Sequence, residues 1–123
     1  MNSTHSVMVP VTTLDRVLSG RFLGEPLLIK IDVEGHEYDV LLGAHDTLMR
    51  PNATWIIEHG LTENFETINP HFHDLFDIFW QNGYEAHSLA PSRLVSHSDI
   101  ERWLQQGKRD FGSINFLFVK PNI

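Results

Sequence analysis

The chain has 123 residues, no cysteine and a formal net charge of −7, from 9 basic and 16 acidic side chains. That length suits one domain burying roughly two-thirds of its unfolded surface, and 41% apolar with 20% charged residues sets aside disordered and fibrous classes. An acidic balance without a Lys/Arg cluster argues against a nucleic-acid surface, and the lack of cysteine removes disulfides, thiolate zinc sites and cysteine nucleophiles.

No apolar run approaches the roughly 18 residues of a membrane span, and the polar start Met1 to Ser6 lacks the charged and apolar regions of a signal peptide. The expectation is a cytoplasmic protein without membrane or nucleic-acid partners, a single domain over 1–123 with 1–8 as a flexible tail.

In chain order, Val7 to Val11 has strand composition, with Pro10 confining it to an edge or a strand end. Thr12-Thr13-Leu14-Asp15 opens a short helix that Thr12 can cap, with Leu14, Val17 and Leu18 on one face. An apolar run from about Leu27 to Asp32 reads as a buried strand, Gly35 makes a turn, and Val40, Leu41, Ala44 and Leu48 predict one helix from Glu37 to about Met49, stopped by Pro51. Thr54 to Glu58 is a second buried strand. Asn69-Pro70 starts a helix whose stripe is Phe72, Leu75, Phe76, Phe79 and Trp80, ended by Gly83. Tyr84 to Leu89 is a third strand. Ser98 with Glu101 predicts a capping box for a helix burying Ile100, Trp103 and Leu104 and closed by Gly107, and Ser113 to Val119 is a last strand. This alternation predicts an α/β fold with a mostly parallel sheet.

Chemistry concentrates where the first two buried strands end. In open α/β sheets ligands bind at the carboxyl ends of strands, and here those ends carry Asp32, Glu34 and His36, then Glu58 and His59. Asp32 and Glu34 are the candidate catalytic groups, because a carboxylate can take the proton of a reacting hydroxyl. The alternative is that they cap the next helix or pair with Lys30. Glu58, His59 and His36 are candidate substrate contacts, against a plain solvated edge. Glu37, one step into the helix, reads as structural.

Eight histidines raise the question of metal. His71 and His73, two apart, do not share a helix face. Asp32, Glu34, His36 and His59 have suitable ligand types for a divalent ion, which leaves a metal-dependent hydrolase as a lesser alternative. No metal site is assigned.

Thr13-Leu14-Asp15, Ile29-Lys30-Ile31-Asp32-Val33-Glu34-Gly35-His36-Glu37, Val40-Leu41 with Gly43-Ala44, Ile57-Glu58 and Gly83-Tyr84 occur in an order that resembles the FkbM-type family of S-adenosylmethionine-dependent methyltransferases over roughly residues 9 to 120. The resemblance implies part of a class I methyltransferase (Rossmann-like) sheet with helices packed on it. Leu27–Asp32 is like the fourth strand, Trp55–Glu58 the fifth, Tyr84–Leu89 the sixth and Ile114–Val119 the antiparallel seventh. It also implies S-adenosylmethionine as cofactor and a small-molecule or glycan hydroxyl as acceptor, with Asp32 or Glu34 assisting deprotonation. The first three strands of that plan, with the glycine-rich turn and the acid that holds the cofactor's ribose, have no counterpart here, so the chain resembles the C-terminal half of the domain. A noncatalytic homo-oligomer pairing through the exposed edge of the Leu27–Asp32 strand is the competing expectation.

Overall fold

The computed structural model describes residues 8, 10–33, 35–59, 69–89, 92–107 and 115–121. Most of the predicted tail, Val7 and Val9 of the first predicted strand, Glu34, and Ser113 with Ile114 lie outside them. Met8, Pro10 and Val11 carry no strand pairing, contrary to the strand expected there.

The elements are α1 (Leu14–Leu18), β1 (Leu27–Ile31), α2 (Glu37–Leu42), α3 (His45–Leu48), β2 (Ala53–Glu58), α4 (Phe72–Gln81), β3 (Glu85–Leu89), β4 (Ser92–Val95), α5 (His97–Gln106) and β5 (Asn115–Val119). The strands form one sheet in the order β1-β2-β5-β3-β4. β1 runs parallel to β2, while β5 is antiparallel to both β2 and β3, and β4 is antiparallel to β3. The α/β class holds, but the sheet is mixed and mostly antiparallel in its pairings rather than mostly parallel. The cause is the placement of β5, which lies between β2 and β3 and separates strands that point the same way. A further antiparallel pairing comes from the hairpin of β3 with β4, a strand the sequence reading left out.

One face of this sheet carries the core. Trp55 and Ile57 of β2 and Phe116 and Phe118 of β5 are fully buried against Phe72, Phe76 and Phe79 of α4 and Trp103 of α5. Phe79 stacks on Phe118 at 3.9 Å, and Phe76 meets Phe116 edge-on at 5.0 Å. Each such side chain contributes about 1.5–3 kcal/mol by leaving water, so the apolar stripe of α4 is the main adhesive of the fold. The opposite face, with Lys30 on β1, Asp32 just after it and Thr54, Ile56 and Glu58 on β2, is exposed or half-buried.

Three local expectations shift. Thr13, not Thr12, caps α1, its hydroxyl accepting from the Arg16 N–H at 3.2 Å. The helix predicted from Glu37 to Met49 breaks at Gly43-Ala44 into α2 and α3. The reason is tertiary: a Cβ on Gly43 would stand 2.8 Å from the Cβ of Thr13, and the Gly43 carbonyl accepts the Asp15 N–H at 3.0 Å. The capping box of α5 is formed by Ser96 with Asp99, two residues before the predicted pair, and Leu104 stays 42% exposed. Gly107 ends α5 in the left-handed conformation, φ 72°, as its position predicts.

No helix among the described residues is long and apolar enough to cross a membrane.

Candidate functional site at the ends of the first two strands

β1 and β2 are neighbours in parallel register, Ile31 opposite Ile57. One residue further on each strand come Asp32 and Glu58. Because side chains alternate along a strand, both leave the buried face that Ile31 and Ile57 occupy. Asp32 is exposed; Glu58 is half-buried and pairs in register with Asn115 of β5. The structure thus brings together two of the acids that the sequence singled out.

The turn after Asp32 is tied down from beneath. Gly35 adopts φ 98°, which an L side chain rarely tolerates, and its N–H donates to Glu37 Oε2 at 2.7 Å. The other oxygen of Glu37 lies 3.6 Å from His59 Nδ1, and both side chains are at most 2% exposed. His59 stacks on Phe72 at 5.2 Å, with Nε2 3.4 Å from the Phe72 carbonyl. Asn69 completes the tie: its amide donates to the Gly35 carbonyl at 2.9 Å while its oxygen accepts the His71 N–H at 2.8 Å. One buried network therefore joins the acidic turn, the end of β2 and the start of α4.

Burial by itself would raise the Glu37 pKa, but the nearby His59 ring and its charge, the residue's own N–H and the Gly35 N–H outweigh it, and the carboxyl sits below its ordinary value. A buried carboxylate held in its charged form by these partners serves to shape the turn. That matches the structural role expected for Glu37, while its pairing with His59 and the second contact of Asn69 went unread. Asn-Pro before an apolar helix signalled a cap, yet nothing local signals a partner more than thirty residues away.

The other candidates separate. His36 is exposed and pairs with Asp39 at 3.5 Å on the same helical turn. His59 faces the core. Among the described residues, Asp32, His36 and His59 do not converge at ligand spacing. Glu34 lies outside the described residues.

An open groove of about 450 Å³ runs along β1, lined by Leu14 of α1, Val40 of α2 and Lys30, Ile31, Asp32 and Val33 of the strand and turn. Among the described residues β1 pairs only with β2, so this groove follows the outer edge of the sheet.

Comparison with known proteins settles the relationship: the family model described as the methyltransferase FkbM domain matches residues 1–86. The chain belongs to the FkbM methyltransferase family. No solved structure matches it.

The geometry explains what several FkbM signature pieces do. Thr13-Leu14-Asp15 and Gly43-Ala44 are two halves of one contact, in which Asp15 accepts from the Asp46 N–H, the Thr47 N–H and the Thr47 hydroxyl at 2.6–2.9 Å and so caps α3. Burial would raise the Asp15 pKa, but these hydrogen bonds and nearby His45 leave it lowered. Tyr84, from the Gly83-Tyr84 piece, accepts from the Trp55 indole N–H and donates to the Leu48 carbonyl, each at 3.0 Å. Burial pushes its phenol up, the Trp55 bond offsetting part of the effect. These pieces are latches between elements, whereas Asp32 is, among the described residues, a signature acid that lines the groove.

Proposed function

We propose that this chain forms the acceptor-side wall of an S-adenosylmethionine-dependent methyltransferase acting on a hydroxyl oxygen of a small molecule or glycan in the cytoplasm. The observation that carries the reading is Asp32: an exposed carboxylate at the end of β1, beside the end of β2 and lining the groove, in a member of the FkbM family. A hydroxyl gives up its proton as it acquires a methyl group, and a carboxylate within hydrogen-bond reach can take it. Asp32, or Glu34 two residues on, fills that role, with Glu58 contacting the acceptor and the Glu37–His59 pair supporting the turn from below. His36, exposed at the start of α2, is a further contact for the acceptor.

The sheet supports the assignment to part of a class I methyltransferase fold. Under the correspondence drawn from the sequence, β1, β2, β5 and β3 are like the fourth, fifth, seventh and sixth strands, and the seventh is antiparallel as that plan requires. The described residues do not by themselves fit the cofactor. The lining of the groove includes Asp32 but no glycine whose backbone could approach a ligand closely.

Calorimetric titration with S-adenosylmethionine and with its demethylated product tests the reading. Because the groove lining holds no such glycine, we expect no saturable heat and no rise in melting temperature at millimolar ligand from this chain alone; saturable binding of one ligand per chain would overturn the reading of the chain as the acceptor-side wall only.

A second reading is favoured by the outer edge of β1, where Leu28 is 65% exposed and the strand pairs with no second neighbour among the described residues. In it, two copies pair β1 to β1 as a noncatalytic interaction module. Light scattering should then give a dimer mass that Leu28→Lys reduces to the monomer, and a strict monomer at high concentration sinks the idea.

A further inference from the structure

α4 and α5 bring together three metal-type donors that belong to no part of the strand-end site. His73 and Asp77 are four residues apart on α4 and so share a helix face, with Nε2 of His73 3.4 Å from Oδ1 of Asp77. His97, the first residue of α5, places Nδ1 4.0 Å from the same oxygen. All three ligand atoms lie within 4.8 Å of one another.

These distances are informative because zinc binds imidazole nitrogen and carboxylate oxygen at about 2.0–2.1 Å in a tetrahedron, whose ligand-to-ligand edge is then about 3.3–3.4 Å. One pair already stands at that edge length. The half-buried His73 and Asp77 side chains hold theirs, and a small shift of the more exposed His97 ring along Trp80 would close the remainder. The framework around the donors is fixed. The His97 ring lies against Trp80 of α4 at 3.8 Å, and the capping box of Ser96 with Asp99 anchors the backbone on either side of it.

We propose that His73, Asp77 and His97 form a binding site for one divalent transition-metal ion of the zinc class, clamping the start of α5 to α4. Two imidazoles and a carboxylate suit zinc, nickel or copper over magnesium or calcium, which prefer all-oxygen shells. Three protein ligands leave a fourth position for water. The net charge of −7 favours cation approach. His73 and Asp77 lie within the residues matched by the FkbM domain and His97 lies beyond them, so the site needs both the matched part and the C-terminal segment.

The test is calorimetric titration of the metal-free full chain with zinc chloride, alongside nitrogen-15 spectra of the histidine rings. We expect one ion per chain, a higher melting temperature, and metal-dependent shifts at Nε2 of His73 and Nδ1 of His97. Asp77→Asn and His97→Gln should each weaken binding at least about tenfold, since even outer-shell changes cost that much. His71→Ala, which removes a neighbouring surface histidine paired with Asp74, should leave binding unchanged. The ring shifts need no substitution, so they decide the matter even if a variant folds poorly. No uptake of zinc at millimolar concentration, or uptake without shifts at His73 and His97, overturns the proposal.

Discussion

Glu37→Ala should destabilise the fold by about 3 kcal/mol, the scale for breaking one side of a buried polar pair. Two partners lose their contact at once, the Gly35 N–H and the His59 ring, and a donor stranded away from water costs about 1–3 kcal/mol by itself. Against a total stability of about 5–15 kcal/mol for a typical domain, that is a large share. Urea denaturation of the wild type and the variant measures it. Glu37→Gln, which keeps an acceptor for Gly35, should recover part of the loss; equal stability of Glu37→Ala and wild type would remove the network from the account of the site.

The same pair predicts an acid limb. Glu37 is joined by Asp15 and by Asp99, where burial, which would raise the pKa, is outweighed by hydrogen bonds from Ser96 and Arg102 and by the Arg102 charge. A carboxyl whose folded-state pKa is depressed contributes stability above its unfolded value and loses it as pH falls through the folded value. With ordinary values of 4.5 for Glu37 and 3.8 for the aspartates, these contributions are complete at neutral pH and decline from below about pH 4.5 downward. The Glu37→Ala variant should show a shallower upper part of that decline.

Under the proposed function, Asp32→Asn should lower methyl transfer by the enzyme completed with its cofactor-binding part by about 10²–10⁴-fold, the usual contribution of a positioned general base, while leaving the melting temperature of this chain within error. The side chain is exposed and holds no element together, so stability and activity should separate cleanly. Formation of the demethylated cofactor with a panel of hydroxyl-bearing small molecules and glycans reads the rate. Glu34→Gln measured in parallel assigns the base between the two acids. If both variants turn over like the wild type, neither carboxylate is the base and the chemistry lies elsewhere.

Short-range periodicity made much of this molecule legible. The strand runs of β1 and β2, the aromatic stripe of α4, and the stops at Gly83 and Gly107 are each set within a dozen residues by burial pattern and backbone freedom, and the structure keeps them. So is the signature around Asp32, which already pointed to the FkbM family and to the acidic strand end. But β1, expected as a buried strand, leaves Leu28 and Lys30 exposed at the sheet edge, and α4 begins at Phe72 with His71 at its N-cap, two residues after the expected Asn69-Pro70 start. What the sequence could not disclose depends on partners far along the chain. Gly43 breaks a well-patterned helix only because Thr13 presses against it; β5 makes the sheet mostly antiparallel only because it enters between β2 and β3. His59 becomes a buried partner of Glu37 rather than a solvent-facing group at the strand end, and His73 meets His97, only after the helices pack. Helix and strand periods are local properties of the chain, whereas strand order and the meeting of polar groups follow from which buried faces find each other, and that is decided by the packing of the whole core.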